Sequence, residues 1–314
     1  MAKSQRIKPQ TKSYMEANMK EFKGVITPMV TPFKEDEEID WELLDQHVEF
    51  LIAKGVHCLA PTGSTGEFES LTFDEVIGIY QAVVKKVAGR VPVIGGMGGR
   101  STRESIAMAR AAEKAGVDGL LVLPPYYYGF NQEEIIAYYQ QIADSTSLLI
   151  MLYNNPGKTK VDVTPDMVAR LSRVPNIRYM KESSGDMRRI KEVIERTDES
   201  FIVIGGWDSI FLESLLMGAR GMVSGTSNVA PEALVRLYSL VEEGAYAEAL
   251  EYYKAVHPFL SLMEDYGRLA AWVKASLRLR GQDCGYPRRP YAPISPEEVE
   301  RIRSGMKTAG VPLI

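Results

Sequence analysis

Histidine is scarce in this chain of 314 residues: there are three, His47, His57 and His257. None falls clearly at the end of an expected strand, which argues against a Ser-His-Asp triad, and no His-Glu-x-x-His or carboxylate–histidine cluster suggests a metal. Cysteine is scarcer still. Cys58 and Cys284 lie far apart, so they offer neither a disulfide framework nor a metal cluster. Cys58 sits in an apolar run and reads as a small core residue, and a reducing, cytoplasmic setting fits this usage. No run of 18 apolar residues is present, so no membrane span is expected. There is no basic excess either. A net charge of −4 argues against a nucleic-acid binder, though a local cationic site would be enough for a small anionic substrate.

What remains is the composition of a soluble globular protein, 45% hydrophobic and 25% charged. Residues 1–20 are polar and basic without an apolar core and read as a flexible tail rather than a secretory signal. From there on, strand-like and helix-like segments alternate. Strands are expected at 24–28, 56–60, 91–94, 119–123, 148–153, 177–181, 201–204 and 221–224. Helix starts are marked by Asp40, by the capping boxes Thr72–Glu75 and Ser101–Glu104, by Thr164-Pro165, by Asp208 and by Pro231. His47 falls on the apolar stripe of the first helix and reads as a core-edge residue.

Several strands are continuous apolar runs, as in a parallel sheet buried on both faces. Eight such units predict an α/β fold, a (β/α)8 TIM barrel over 21–243, with a C-terminal helical extension over 244–314. The extension is read as helices near 245–257, 264–280 and 296–307. A doubly wound open sheet would favour a glycine-rich first turn, and none follows the first strand.

In such a barrel the chemistry sits just after the strands. The sixth strand ends in Lys181, which is either an ordinary lysine reaching out of a strand end or a desolvated amine able to attack a carbonyl. The second ends in Pro61-Thr62-Gly63-Ser64-Thr65-Gly66-Glu67, either a carboxylate or phosphate nest or a simple turn. The fourth ends in Pro124-Pro125-Tyr126-Tyr127-Tyr128, suited to interface packing or to supplying phenol protons. Tyr153 closes the fifth and shares parity with Leu149 and Met151, and a phenol beside a Schiff-base lysine can move protons. The glycine-rich ends of strands seven (Gly205-Gly206-Trp207-Asp208) and eight (Ser224-Gly225-Thr226) keep a phosphorylated ligand in play.

Taken in order, these strand ends resemble the dihydrodipicolinate synthase / N-acetylneuraminate lyase family. The pieces that carry the resemblance are Gly63-Ser64-Thr65-Gly66-Glu67, Pro125-Tyr126-Tyr127, Tyr153-Asn154-Asn155-Pro156 and Lys181-Glu182-Ser183-Ser184-Gly185-Asp186, with Lys274-Ala275-Ser276-Leu277 and Pro287 to Pro290 extending it. The resemblance implies a Schiff-base lyase, usually a homotetramer built as a dimer of dimers, that needs no cofactor and no metal. It implies that Lys181 forms the Schiff base with pyruvate or another 2-oxo acid and that Tyr153 moves the proton. Ser64 and Thr65, with the turn amides from Gly63, would hold the carboxylate and relay protons. Gly205, Val223 and Ser224 would line the pocket, and Tyr127 would reach a neighbouring subunit's site.

There are departures. The synthases carry two threonines where this chain has Ser64-Thr65, and an arginine where it has Lys158, a point charge without a bidentate fork. The positions of the synthases' lysine-feedback site hold Phe68, Glu69, Phe73, Val76 and Arg100, so feedback by lysine is not expected. The same runs are similar to 2-keto-3-deoxy sugar-acid aldolases or dehydratases and to 1-pyrroline-4-hydroxy-2-carboxylate deaminase. A non-catalytic 2-oxo-acid-binding oligomer is the reading of another class.

Overall fold

The protein is described by a computed structural model covering residues 20–98, 101–265, 267–292 and 294–313. Most of the expected tail, and Arg100, lie outside the described residues. Eight strands form one parallel sheet: β1 (Gly24–Pro28), β2 (Cys58–Ala60), β3 (Ile94–Gly98), β4 (Gly119–Leu123), β5 (Leu149–Asn154), β6 (Ile177–Glu182), β7 (Ile202–Gly205) and β8 (Gly221–Val223). β1 pairs with both β2 and β8, and a parallel bridge between Leu59 and Val93 links β2 to the start of β3, so the ring is all but closed. This is the expected (β/α)8 barrel.

The helices between the strands form the outer layer: α1 (Trp41–Ala53), α2 (Phe73–Val87), α3 (Thr102–Ala115), α4 (Gln132–Ala143), the short α5 (Pro156–Thr159) with α6 (Pro165–Leu171), α7 (Arg188–Arg196), α8 (Phe211–Leu216) and α9 (Pro231–Glu242). Most of their starts follow the sequence signals, with Asp208 the exception. The Asp40 carboxylate accepts the Leu43 N–H at 3.0 Å, and Thr72 and Glu75 close a complete capping box. His47 is buried, with Nε2 2.9 Å from Asn228 Oδ1, and burial pushes its pKa down to about 4. Both cysteines are buried, and loss of solvation raises each thiol to about 12.

Inside the ring, Ile26, Ala60, Ile94, Leu121, Met151, Tyr153, Tyr179, Ile204 and Val223 pack together. Phe22 joins them, its backbone N–H donating to the Tyr179 hydroxyl at 3.3 Å. Tyr153, Met151 and Leu149 do share the inward face, as their parity requires.

Two regions depart most from the expectation. The third strand runs over the glycines rather than ending before them. A side chain at Gly95 would meet the Tyr80 ring, one at Gly96 the Gly63 backbone, and one at Gly98 the Phe68 ring. The glycines are there because neighbours press on the strand, a packing role that resembles a loop signal in the sequence. The first helix of the extension, α10 (Tyr246–Asp265), continues through Pro258 instead of stopping near residue 257, and α11 (Leu269–Leu279) and α12 (Pro296–Thr308) follow. One proline costs a helix a hydrogen bond but does not end it when tertiary packing holds both sides, and Phe259, Leu260 and Met263 are buried.

Candidate active site

Lys181 closes β6 directly opposite Tyr153 on β5 and Ile204 on β7. Its neighbour in sequence, Glu182, points the other way and is tied down there: the Asn154 amide donates to it at 2.9 Å, the Ser184 N–H at 2.6 Å, and Arg189 lies at 3.5 Å. With that side of the strand end anchored, Lys181 faces the mouth. Its Nζ stands 4.8 Å from the centroid of the Tyr153 ring.

Desolvation first, and the positive charge of Lys158 second, bring the Lys181 amine down from 10.5 to about 7 against the opposing pull of Asp208 and Glu264. A substantial fraction is then neutral near pH 7, the form that attacks carbonyls. Tyr153 is buried, and desolvation raises its pKa; hydrogen bonds with the Ser64 and Asn155 side chains oppose the rise. The turn after β2 thus reaches the phenol through Ser64. Thr65 is buried beside Ser64, and the Gly63 carbonyl accepts the Gly66 N–H at 2.9 Å, which folds the turn tightly. Lys158, in α5, is brought to the rim. Crowding by protein lowers its pKa, opposed by Glu264.

Val223 and Ser224 are buried at the end of β8. The Ser224 hydroxyl faces the Asp208 carboxylate without a well-formed hydrogen bond. Gly205 turns its missing side chain toward Met222 and Ser214, away from the lysine. Gly206, which sequence reasoning passed over, is the glycine against Lys181: a Cβ there would run into the lysine side chain and the Ser183 hydroxyl. Gly206→Ala is expected to displace the amine and cut kcat at least about 100-fold, the scale of a 1 Å misplacement of a reacting group. Unchanged steady-state kinetics in a folded variant would count against that packing.

Two acids complete the site. Asp208 does not cap the helix after β7, the role its sequence position suggests. Its carboxylate turns inward to accept the Thr226 N–H at 2.9 Å and the Thr226 hydroxyl at 2.6 Å. Glu264, from the extended part of α10, takes over the capping: one oxygen accepts the Ser209 N–H at 3.0 Å and the other the Asp208 N–H. Burial raises both carboxyls, and the Asp208 charge adds to the rise of Glu264, which reaches about 7. Glu264 is not legible in the sequence as a site residue, because the periodicity puts it at the start of the helix expected over 264–280 rather than near the end of one that runs on from residue 246.

Tyr127 is not in this cluster. It is 84% exposed and stacks edge-on against Tyr128, with ring centroids 4.9 Å apart. Phe68, Glu69, Phe73 and Val76 line a separate cavity of about 420 Å³ beside β3. Its wall is largely apolar, so millimolar L-lysine is expected to leave turnover unchanged; a saturable fall in initial rate would overturn this. Among the described residues no three His, Cys, Asp or Glu side chains gather as metal ligands, and no helix is long and apolar enough to cross a membrane.

A lysine freed of its proton at a barrel mouth, faced by a phenol and a hydroxyl-bearing turn, defines a barrel of the Schiff-base lyase class. The family model described as the dihydrodipicolinate synthetase family matches residues 21–309, and the chain belongs to that family. It is 36% identical to the 4-hydroxy-tetrahydrodipicolinate synthase of Archaeoglobus fulgidus over 288 residues, covering 91% of this chain and 98% of that one. The crystal structure of dihydrodipicolinate synthase from Aquifex aeolicus superposes with a TM-score of 0.89 at 33% identity, covering 93% of this chain and 99% of that one. A synthase from Acinetobacter baumannii, solved in complex with pyruvate, gives 0.87 at 31% identity, covering 92% and 99%. The chain is a lyase that works through a lysine Schiff base on pyruvate or a related 2-oxo acid.

Proposed function

We propose that Lys181 is the Schiff-base lysine, that Tyr153 is its proton carrier, and that the enzyme joins pyruvate to an aldehyde. The observation that carries this reading is the lowered Lys181 amine, 4.8 Å from the Tyr153 ring. The neutral amine adds to the 2-oxo carbon and water leaves, giving an iminium. The phenol of Tyr153 supplies the proton that the departing hydroxyl needs and, as phenolate, takes one from the methyl carbon, leaving an enamine. The enamine attacks the aldehyde, and hydrolysis of the new iminium returns the lysine. Ser64, Thr65 and the amides from Gly63 hold the carboxylate of the 2-oxo acid, and the backbone of Gly205, Val223 and Ser224 lines its pocket. Lys158 meets the distal end of the second substrate. Tyr127, exposed on this chain, completes the site of a neighbouring copy in a homotetramer, and the enzyme works in the cytoplasm.

The identity of the aldehyde divides two readings. The A. fulgidus relative's name supports aspartate semialdehyde. Lys158 in place of a bidentate arginine, together with Asp208 and Glu264 at the same mouth, favours a distal end that is hydroxylated rather than carboxylated. A panel separates them: pyruvate with aspartate semialdehyde against 2-keto-3-deoxy acids, N-acetylneuraminate and the hydroxypyrroline carboxylate, read by pyruvate, 2-oxoglutarate semialdehyde or ammonia release. The synthase reading expects the highest kcat/KM with aspartate semialdehyde, raised further in Lys158→Arg. Faster cleavage of a 2-keto-3-deoxy acid would replace it with the second.

A further inference from the structure

The turn that presents Ser64 and Thr65 is bracketed by two residues in the left-handed region, Thr62 at φ 58 and Glu67 at φ 59. Neither is glycine, so each needs something to hold it there. Thr62 is held by the barrel, its hydroxyl donating to the Gly96 carbonyl at 2.7 Å. Glu67 is held from outside the barrel. One carboxylate oxygen accepts Lys274 Nζ at 2.6 Å, and the other accepts the Arg288 N–H at 2.9 Å.

Lys274 lies on α11, 207 residues further along the chain. Its ammonium also donates to the Tyr286 carbonyl at 2.7 Å and sits 4.6 Å from the centroid of the Phe33 ring. The two side chains are 2% and 1% exposed. A buried ion pair of this kind adds little to stability over an apolar pair of the same shape. What it does add is a fixed distance between two parts of the chain. Here one part is the C-terminal extension, and the other is the turn in which the Glu67 N–H donates to the Ser64 carbonyl at 3.3 Å and whose Ser64 side chain lies against the Tyr153 phenol.

We infer that Glu67 and Lys274 are a positioning pair for proton transfer: the extension, acting through them, sets where Ser64 holds the Tyr153 phenol against the carbon that loses its proton. The pair touches neither substrate nor Lys181. It bears on the rates of the proton transfers that the phenol makes and leaves alone the extent of imine formed at equilibrium. This rests on the proposed roles of Lys181 and Tyr153.

Two measurements separate the two: the extent of borohydride trapping of pyruvate on Lys181 after equilibration reports the imine, and the rate of exchange of the pyruvate methyl protons in D₂O reports proton transfer by the phenol. Glu67→Asp keeps the buried charge and draws the carboxylate back by one methylene. In this variant trapping is expected to stay within about threefold while exchange falls roughly 100-fold, the scale of a 1 Å misplacement. The double variant Glu67→Gln, Lys274→Met, in which neither charge is left buried alone, is expected to show the same split with thermal stability near that of the parent chain. A purely structural pair would lower the melting temperature and leave the ratio of exchange to trapping unchanged. Either variant folded with that ratio intact would overturn the inference. Absence of trapping in the parent chain would instead overturn the proposed role of Lys181, which the positioning test does not touch. Should the double variant fail to fold, Glu67→Asp decides alone.

Discussion

Lys181→Ala is expected to cut turnover by roughly 10,000-fold or more, the scale on which an enzyme loses a covalent nucleophile. No other amine can replace it at the same place: the nearby cation, Lys158, lies on α5 at the rim and not opposite Tyr153. Borohydride with pyruvate should add the reduced pyruvyl mass to the peptide bearing Lys181 in the parent chain and to none in the variant. An unmodified Lys181 peptide from an inactivated parent chain would sink the assignment.

The pH dependence follows from the same burial. Only the neutral amine attacks, and its pKa lies near 7 rather than 10.5. The rate of imine formation is therefore expected to rise as pH climbs through about 7 and then to level off. Burial is the main cause and Lys158 the second, so Lys158→Gln should move the midpoint to higher pH. Asp208→Asn, which removes an opposing negative charge, should move it lower. A midpoint unmoved by either change would mean that desolvation alone sets it.

Much of the barrel could be read from the chain because each part of the signal was local. The β5 run Leu149–Leu152 is apolar throughout, most capping residues lie next to the helices they start, and Lys181 and Tyr153 lie opposite each other near the ends of strands that pair in register. The parts not legible were those decided by distant neighbours. Gly95, Gly96 and Gly98 looked like a loop because the Tyr80 and Phe68 rings and the Gly63 backbone that require them come from elsewhere in the chain. The helices expected over 245–257 and 264–280 split what is one helix up to Asp265, which hides the place of Glu264, and the Asp208 position reads as a cap for a helix that Glu264 caps instead. Gly206 was missed in favour of Gly205 because the two are alike in sequence; only the strand's pleat shows which of them faces the lysine.

Tyr153→Phe is expected to lower kcat by about 100- to 10,000-fold, the range for loss of a positioned acid–base group, while trapping of pyruvate on Lys181 survives at reduced rate. The fold should tolerate the change, since the ring keeps its place among Met151, Ile204 and Val223 and only the hydroxyl goes. What the hydroxyl leaves behind is the informative part. Ser64 and Asn155 lose a partner, but Asn155 still accepts the Lys158 N–H at 3.1 Å, so the α5 turn stays anchored and the effect falls on Ser64. Because burial raises the phenol's pKa, the parent enzyme holds it protonated until the iminium forms; the positive charge then favours the phenolate that takes the methyl proton. The ordering gives a second observable. In the parent chain, methyl-proton exchange should keep pace with imine formation, and in Tyr153→Phe it should fall far behind. Exchange undiminished in the variant would move the proton-carrying role from Tyr153 to another group at the mouth, with Ser64 the hydroxyl that faces the vacated place.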